Sequence, residues 1–297
     1  MATKTYPILL FGAIGFAFGI GLLLFDVNAT EASSLFIQTS EFAVWLVLIC
    51  VSCVVMFTTP FILFDDLRKL WQNGRSHYLD LGISIFLVTL LYLIPVLFSR
   101  GSAGPAITFP LAHHNQKINI LYGLGFFSTL LPATLAIWLI RQALLDEFQA
   151  GKIDTISVRR FNYYRDRLQR SIMILGILVS LVTLDTGALR SAVIASGNAT
   201  PEQFPVIAVL IYGAYFTILL IFLYLPAYNT CRDAGREIRE AYVPFPGPDD
   251  PDWDKALARR KALDEALQIQ LSAKENLQTS VLILAPMLSG IISFLLQ

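Results

Sequence analysis

Charge is what this chain of 297 residues has least of. Charged side chains make up 15% of it, against about 25% in soluble globular domains, and the 22 Lys and Arg are matched by 22 Asp and Glu. The scarcity excludes a soluble domain, and the even balance of sign excludes the basic face of a nucleic-acid binder. A mean hydropathy of +0.62 excludes a disordered chain. Three cysteines exclude a disulfide-stapled secreted module. No stretch carries a catalytic, metal or nucleotide motif, so neither an enzyme nor a cofactor is expected. What is plentiful is apolar: 55% of residues are hydrophobic and 12% aromatic, the composition of an integral membrane protein.

A helix crossing a hydrocarbon core of ~30 Å needs roughly 20 mostly apolar residues. Seven runs of that kind occur, at Pro7 to Phe25, Phe42 to Phe64, Leu79 to Phe98, Ile118 to Ile140, Ser171 to Ser191, Phe204 to Tyr228 and Leu277 to Leu296. The fold class expected is therefore all-α, a polytopic helical membrane protein, with cytoplasmic helices over 141–170 and 229–276. Loop charges give an independent test, because Lys and Arg gather on the cytoplasmic side. Nineteen basic residues fall on one side of these spans, and Arg100, Lys117 and Arg190 on the other. That split predicts the N-terminus inside, the C-terminus outside, and a place in the plasma or inner membrane. The first run is longer than the apolar core of a signal peptide, so it is read as a retained span.

The cytoplasmic parts read as helical. Span four continues through Phe148 and stops near Gly151, and a new helix begins around Asp154 to Ser157 and runs into span five. Farther on, Pro244 to Pro251 interrupts any helix. Asp250 as N-cap and Pro251 at the first turn start another, with no breaker before Pro286, so one helix is expected to run from the linker into span seven. Trp253, Ala256, Leu257, Leu263, Leu267 and Leu271 share one stripe of it, interrupted by Arg260. Such a stripe needs a partner, either the 141–170 hairpin or another subunit.

Gly12, Gly15, Gly19 and Gly21 put small residues along span one, where they let two helices approach closely within the chain or between copies. Asp185 lies about 22 Å along the helix that begins near Arg170. Either it sits within the hydrocarbon as a polar site, with Arg190 as a possible counter-charge, or span five unwinds at Gly187 and Asp185 caps it at the outer surface. Asp185-Thr-Gly187 also spells the tripeptide of aspartic proteases, but that chemistry needs two carboxylates sharing a proton, and this is one copy in an apolar helix. Cys50 and Cys53 read as small packing residues, since no second pair or His accompanies them. His113 and His114 read as a solvated loop. Asn28 and Asn198 begin glycosylation sequons, which matter only in a secretory pathway. Trp45, Trp138, Tyr224 and Tyr228 read as interfacial aromatic belts.

Ionisable groups at mid-membrane are too few for a typical ion-coupled carrier. The helices that extend into the cytoplasm point instead to an oligomeric channel, pore or membrane effector controlled through them. A small-solute transporter and a non-catalytic scaffold or sensor are the alternatives. The partners expected are the lipid bilayer, a second copy or another membrane protein, and a cytoplasmic ligand or protein.

Overall fold

The computed structural model describes residues 5–27, 30–73, 109–148, 153–154, 156–247 and 252–268, together with scattered positions in 78–89 and 281–291. Among them there is no strand. Five helical stretches are long and apolar enough to cross a membrane: Tyr6–Leu24, Ser40–Gln72, His114–Phe148, Ser157–Ala195 and Val206–Tyr242. They correspond to expected spans one, two, four, five and six. Spans three and seven lie largely outside the described residues, as does Leu271 of the stripe.

Helix α1 (Thr5–Leu24) lies along α3 (Ser40–Asn73), with the short α2 (Glu31–Ile37) between them in sequence. The approach is close because two glycines meet two cysteines. A Cβ on Gly15 would stand 2.7 Å from the Cys53 carbonyl oxygen, and one on Gly19 would stand 3.0 Å from Cys50 Cα. Both cysteines are buried. A Cβ on Gly12 would make ordinary contacts with Val54 and Thr58 at 3.6 Å, while one on Gly21 would face open space. Gly21 therefore does not belong to the packing row, because two residues past Gly19 is about 200° around the helix. A second close approach was not anticipated: a Cβ on Gly213 would meet the Pro286 carbonyl at 2.5 Å.

Residues 114–148 form one rod made of α4 (His114–Gly125), a wide π-turn (Phe126–Leu130) and α5 (Leu131–Phe148). Helices α6 (Ser157–Ala195) and α7 (Val206–Tyr242) contain 39 and 37 residues. At 1.5 Å per residue each exceeds 50 Å, well beyond a hydrocarbon core of ~30 Å. Their charge-rich ends, the start of α6 and the finish of α7, lie where α3 and α5 also finish. There Leu144, Phe148, Phe161, Leu168 and Ile238 close a core that continues inward through Leu175 and Leu220. Glu147 ties α5 to α6 through Arg160 at 2.7 Å and the Tyr164 hydroxyl at 3.1 Å.

Helix α8 (Trp253–Leu267) covers this end, packed on α6 and α7. Its stripe is occupied within the chain: Leu267 is fully buried, Leu263 packs against the same core, and Trp253 meets Phe245 edge-on at 5.6 Å. Arg260 does not interrupt the stripe. It is buried, donates to Glu240 and to the Val243 carbonyl, and lies over the Phe245 ring. Two expectations are corrected here. The N-cap is Asp252, not Asp250, and the helix stops at Leu267 instead of continuing into span seven. Gln268 takes a left-handed conformation (φ 49°), and Arg165 on α6 donates to the Leu267 carbonyl at 3.1 Å. A helix end leaves its last carbonyls without intrahelical partners. Here a guanidinium from another helix takes one of them, so the stop is tertiary and needs no local Gly or Pro.

Candidate functional site

At the opposite end of the bundle α3, α4, α6 and α7 line a partly open cavity of about 520 Å³. Asp185 stands on its α6 wall. The helix does not unwind at Gly187 but continues to Ala195, so the carboxylate belongs to the helix interior and not to a surface cap. It is only 7% exposed. Ser52 on α3 donates its hydroxyl to Oδ2 at 2.8 Å. Oδ1 is buried and has no hydrogen-bond partner among the described residues.

Arg190 does another job. Its Nε donates to the Phe204 carbonyl at 2.5 Å, fastening the chain ahead of α7 to the end of α6. Five residues separate it from Asp185, which turns the two about 140° apart around the helix. Asp185 thus has its described bond to Ser52, and Arg190 holds the connecting segment.

The remaining walls mix aromatic rings with aliphatic side chains such as Ile49, Ile118 and Leu189 and with the neutral polar groups of Asn115, Asn119 and Thr186. Trp45, Phe109, Tyr122, Phe204 and Tyr212 line the cavity, and the Tyr122 and Tyr212 hydroxyls lie 3.4 Å apart. Trp45 is only 1% exposed and packs with Phe36 and Phe42, so it is a wall of this site and not part of an interfacial belt. His114 stacks on Phe109 with ring centroids 4.0 Å apart, and its Nδ1 is buried without a partner among the described residues. The adjacent His113 turns the other way to Asp26, 3.3 Å from its carboxylate. The histidines diverge because His113 itself is left-handed (φ 56°) and begins the helix. They do not form one solvated ligand pair. No cluster of three or more His, Cys, Asp or Glu suited to a metal occurs among the described residues.

Lys117, expected in an outer loop, is buried on α4. Its ammonium donates to the Leu23 carbonyl at 3.1 Å and the Phe25 carbonyl at 2.6 Å. A cation at a helix C-terminus also meets the negative end of the dipole, which explains how this charge is held at the end of α1.

Outside the membrane-spanning segments, the start of α6 carries a perturbed acid. Ser157 Oγ donates to Asp154 Oδ1 at 3.0 Å, and the Ile156 N–H donates to the same oxygen at 3.0 Å. The Ser157 hydroxyl, ahead of the backbone donors, holds the Asp154 carboxyl below its ordinary value.

The Gly15 and Gly19 face is spent on α3, and Trp253, Leu257, Leu263 and Leu267 lie on the docked stripe of α8. Asp185 is the predicted position that reaches the cavity. Its neighbours Ser52, His114, Tyr122 and Tyr212 come from distant parts of the chain, so no local spacing announces the cluster. No family model, curated protein or solved structure matches this chain.

Proposed function

We propose that this protein is a multi-pass membrane effector of the plasma or inner membrane, in which a small solute held in the Asp185 cavity is linked to the helical layer formed with α8. In this reading the chain crosses seven times, N-terminus inside and C-terminus outside, and works as a gated pore, alone or with a second copy. One observation carries it: α6 is a single unbroken helix with Asp185 on the cavity at one end and Arg165 and Arg167 in the layer at the other. A continuous helix transmits a displacement that a broken one absorbs. A ligand that prefers one position of α6 at the cavity also favours one arrangement of the docked layer.

A second reading, a small-solute transporter, is favoured by the buried side chains beyond the cavity. Ile137, Ile140, Leu175 and Leu220 fill the bundle between it and the other end, so passage of a solute requires those helices to move.

The test is solute and ion flux in proteoliposomes, with the wild-type protein beside Arg239→Ala. Arg239 donates to both carboxylate oxygens of Asp264 at 3.1 Å, joining α7 to α8. Flux that changes several-fold in the variant, with insertion unaltered, supports an effector controlled from this layer. Saturable uptake supports the transporter. Absence of flux in both proteins leaves a scaffold.

A further inference from the structure

The cavity, taken as the solute site proposed above, has walls that select among ligands by charge. Its chemistry combines one buried carboxylate with five aromatic rings, an aliphatic remainder and the neutral polar groups of Asn115, Asn119 and Thr186. Asp185 is more than nine-tenths buried, is bonded to Ser52 through Oδ2, and keeps Oδ1 without a partner among the described residues. An acidic group at membrane depth is costly unless a cation or a full set of hydrogen bonds meets it. No Lys, Arg or second carboxylate lines the cavity among the described residues. The two nearby cations are engaged with backbone, Lys117 at the Leu23 and Phe25 carbonyls and Arg190 at that of Phe204.

Aromatic faces attract cations through the ring quadrupole, and the attraction grows when the cation is desolvated. Trp45, Phe109, Tyr122, Phe204 and Tyr212 put five rings in the same cavity as this carboxylate, one Phe109 face being stacked on His114. His114 adds a buried Nδ1 that accepts an N–H when the ring proton is on Nε2. A hard metal ion is a poor match, because it needs six or more oxygen ligands or retained waters. An anion is repelled by Asp185. About 520 Å³ falls within the range of small-molecule sites, which is roughly 300–1,000 Å³.

We infer that the cavity binds a protonated organic amine, its ammonium at the Asp185 carboxylate and its apolar body against the aromatic and aliphatic walls. The structural basis is the juxtaposition of a buried carboxylate on α6, with one oxygen held by Ser52 and the other without a partner among the described residues, with rings contributed by α3, α4, α7 and the adjoining connections.

The inference can be tested by calorimetric titration of the full-length protein in lipid nanodiscs, with empty nanodiscs as the blank. The probes are 2-phenylethylamine at neutral pH, where it is a cation, and 2-phenylethanol, its neutral counterpart of similar shape. Wild-type protein is expected to bind the amine at least tenfold more tightly than the alcohol. Asp185→Asn should abolish that preference while alcohol binding stays within about twofold, which also reports an intact cavity. Phe204→Leu keeps an apolar wall but removes one ring, and should weaken the amine several-fold more than the alcohol. It serves as the probe if Asp185→Asn does not assemble. Equal binding of the two compounds by the wild-type protein, or an unchanged preference in Asp185→Asn, overturns the inference while leaving a solute cavity in place. Binding of neither compound overturns the inference together with the solute-cavity reading on which it rests.

Discussion

Arg167 on α6 donates to Asp66 on α3 across 2.6 Å, and the Arg170 guanidinium lies 3.7 Å from the same carboxylate oxygen. The Asp66 side chain is 6% exposed and that of Arg167 is 23% exposed, so the acid is the more deeply buried partner. This ion pair joins two long helices at the end where the docked layer begins.

Removing the two partners should therefore have unequal effects. Arg167→Ala leaves a buried carboxylate with the more distant Arg170 and Lys69 as its remaining cations, whereas Asp66→Asn leaves guanidinium groups that can turn toward water. We expect Arg167→Ala to cost about 2 kcal/mol and Asp66→Asn less, with the double variant losing less than the sum. Thermal unfolding of the three variants in detergent gives the comparison. Additive losses would show that the pair contributes nothing beyond its parts.

The α1–α3 contact makes a graded prediction across three glycines of one helix. Gly15→Ala places a methyl against the Cys53 carbonyl and should lower stability by about 1–3 kcal/mol, the usual range for overpacking. Gly19→Ala should cost less, since the contact there is longer. Gly21→Ala meets nothing and should raise stability by roughly 0.5–1 kcal/mol through helix propensity. A melting-temperature series that fails to rank them in this order would mean α1 is not held where described.

Packing of this kind was partly legible and partly hidden for physical reasons. Apolar run length located the long helices, because a bilayer imposes one length on every crossing. The small-residue spacing marked Gly15 and Gly19, but their partners had to come from the fold. Asp185 stood out as a lone acid in an apolar run, whereas Ser52 lies 133 residues away and Tyr212 is an ordinary aromatic until Tyr122 faces it. The end of α8 was misread because the arginine that donates to its last carbonyl is 102 residues distant, and local composition holds no trace of it.

That stop has its own test. Gln268 is left-handed, a conformation that costs most residues roughly 1–2 kcal/mol and glycine little. Gln268→Gly should stabilise the docked helix, and Arg165→Ala should loosen it by freeing the Leu267 carbonyl. Hydrogen exchange of α8 amides is the readout, slower in the first variant and faster in the second. Equal exchange in both would mean the helix continues beyond Leu267.

The start of α6 predicts a pH dependence. A carboxyl held below its ordinary value, about 3.9 for Asp, contributes stability that is present at neutral pH and lost as pH falls through the folded-state value. Asp154→Ala should melt below the wild-type protein at pH 7. The gap should close as the pH drops below about 4, and a constant gap would assign the loss to packing instead of charge.

The π-turn between α4 and α5 governs more than its own residues. Leu121, Gly125, Thr129, Ala133 and Ile137 are all buried, each four residues after the one before. In a regular α-helix of 3.6 residues per turn, a row with that spacing drifts by about 160° over four intervals and winds out of the interior. The wide turn takes up about 100° of that drift, one residue's worth of rotation, and so brings the portion bearing Tyr122 and His114 closer to phase with the portion bearing Ile137. Cavity and core are aligned by one extra residue in the backbone. Removing one residue there would turn Tyr122 and His114 about 100° relative to Ile137 and change which side chains the cavity contains.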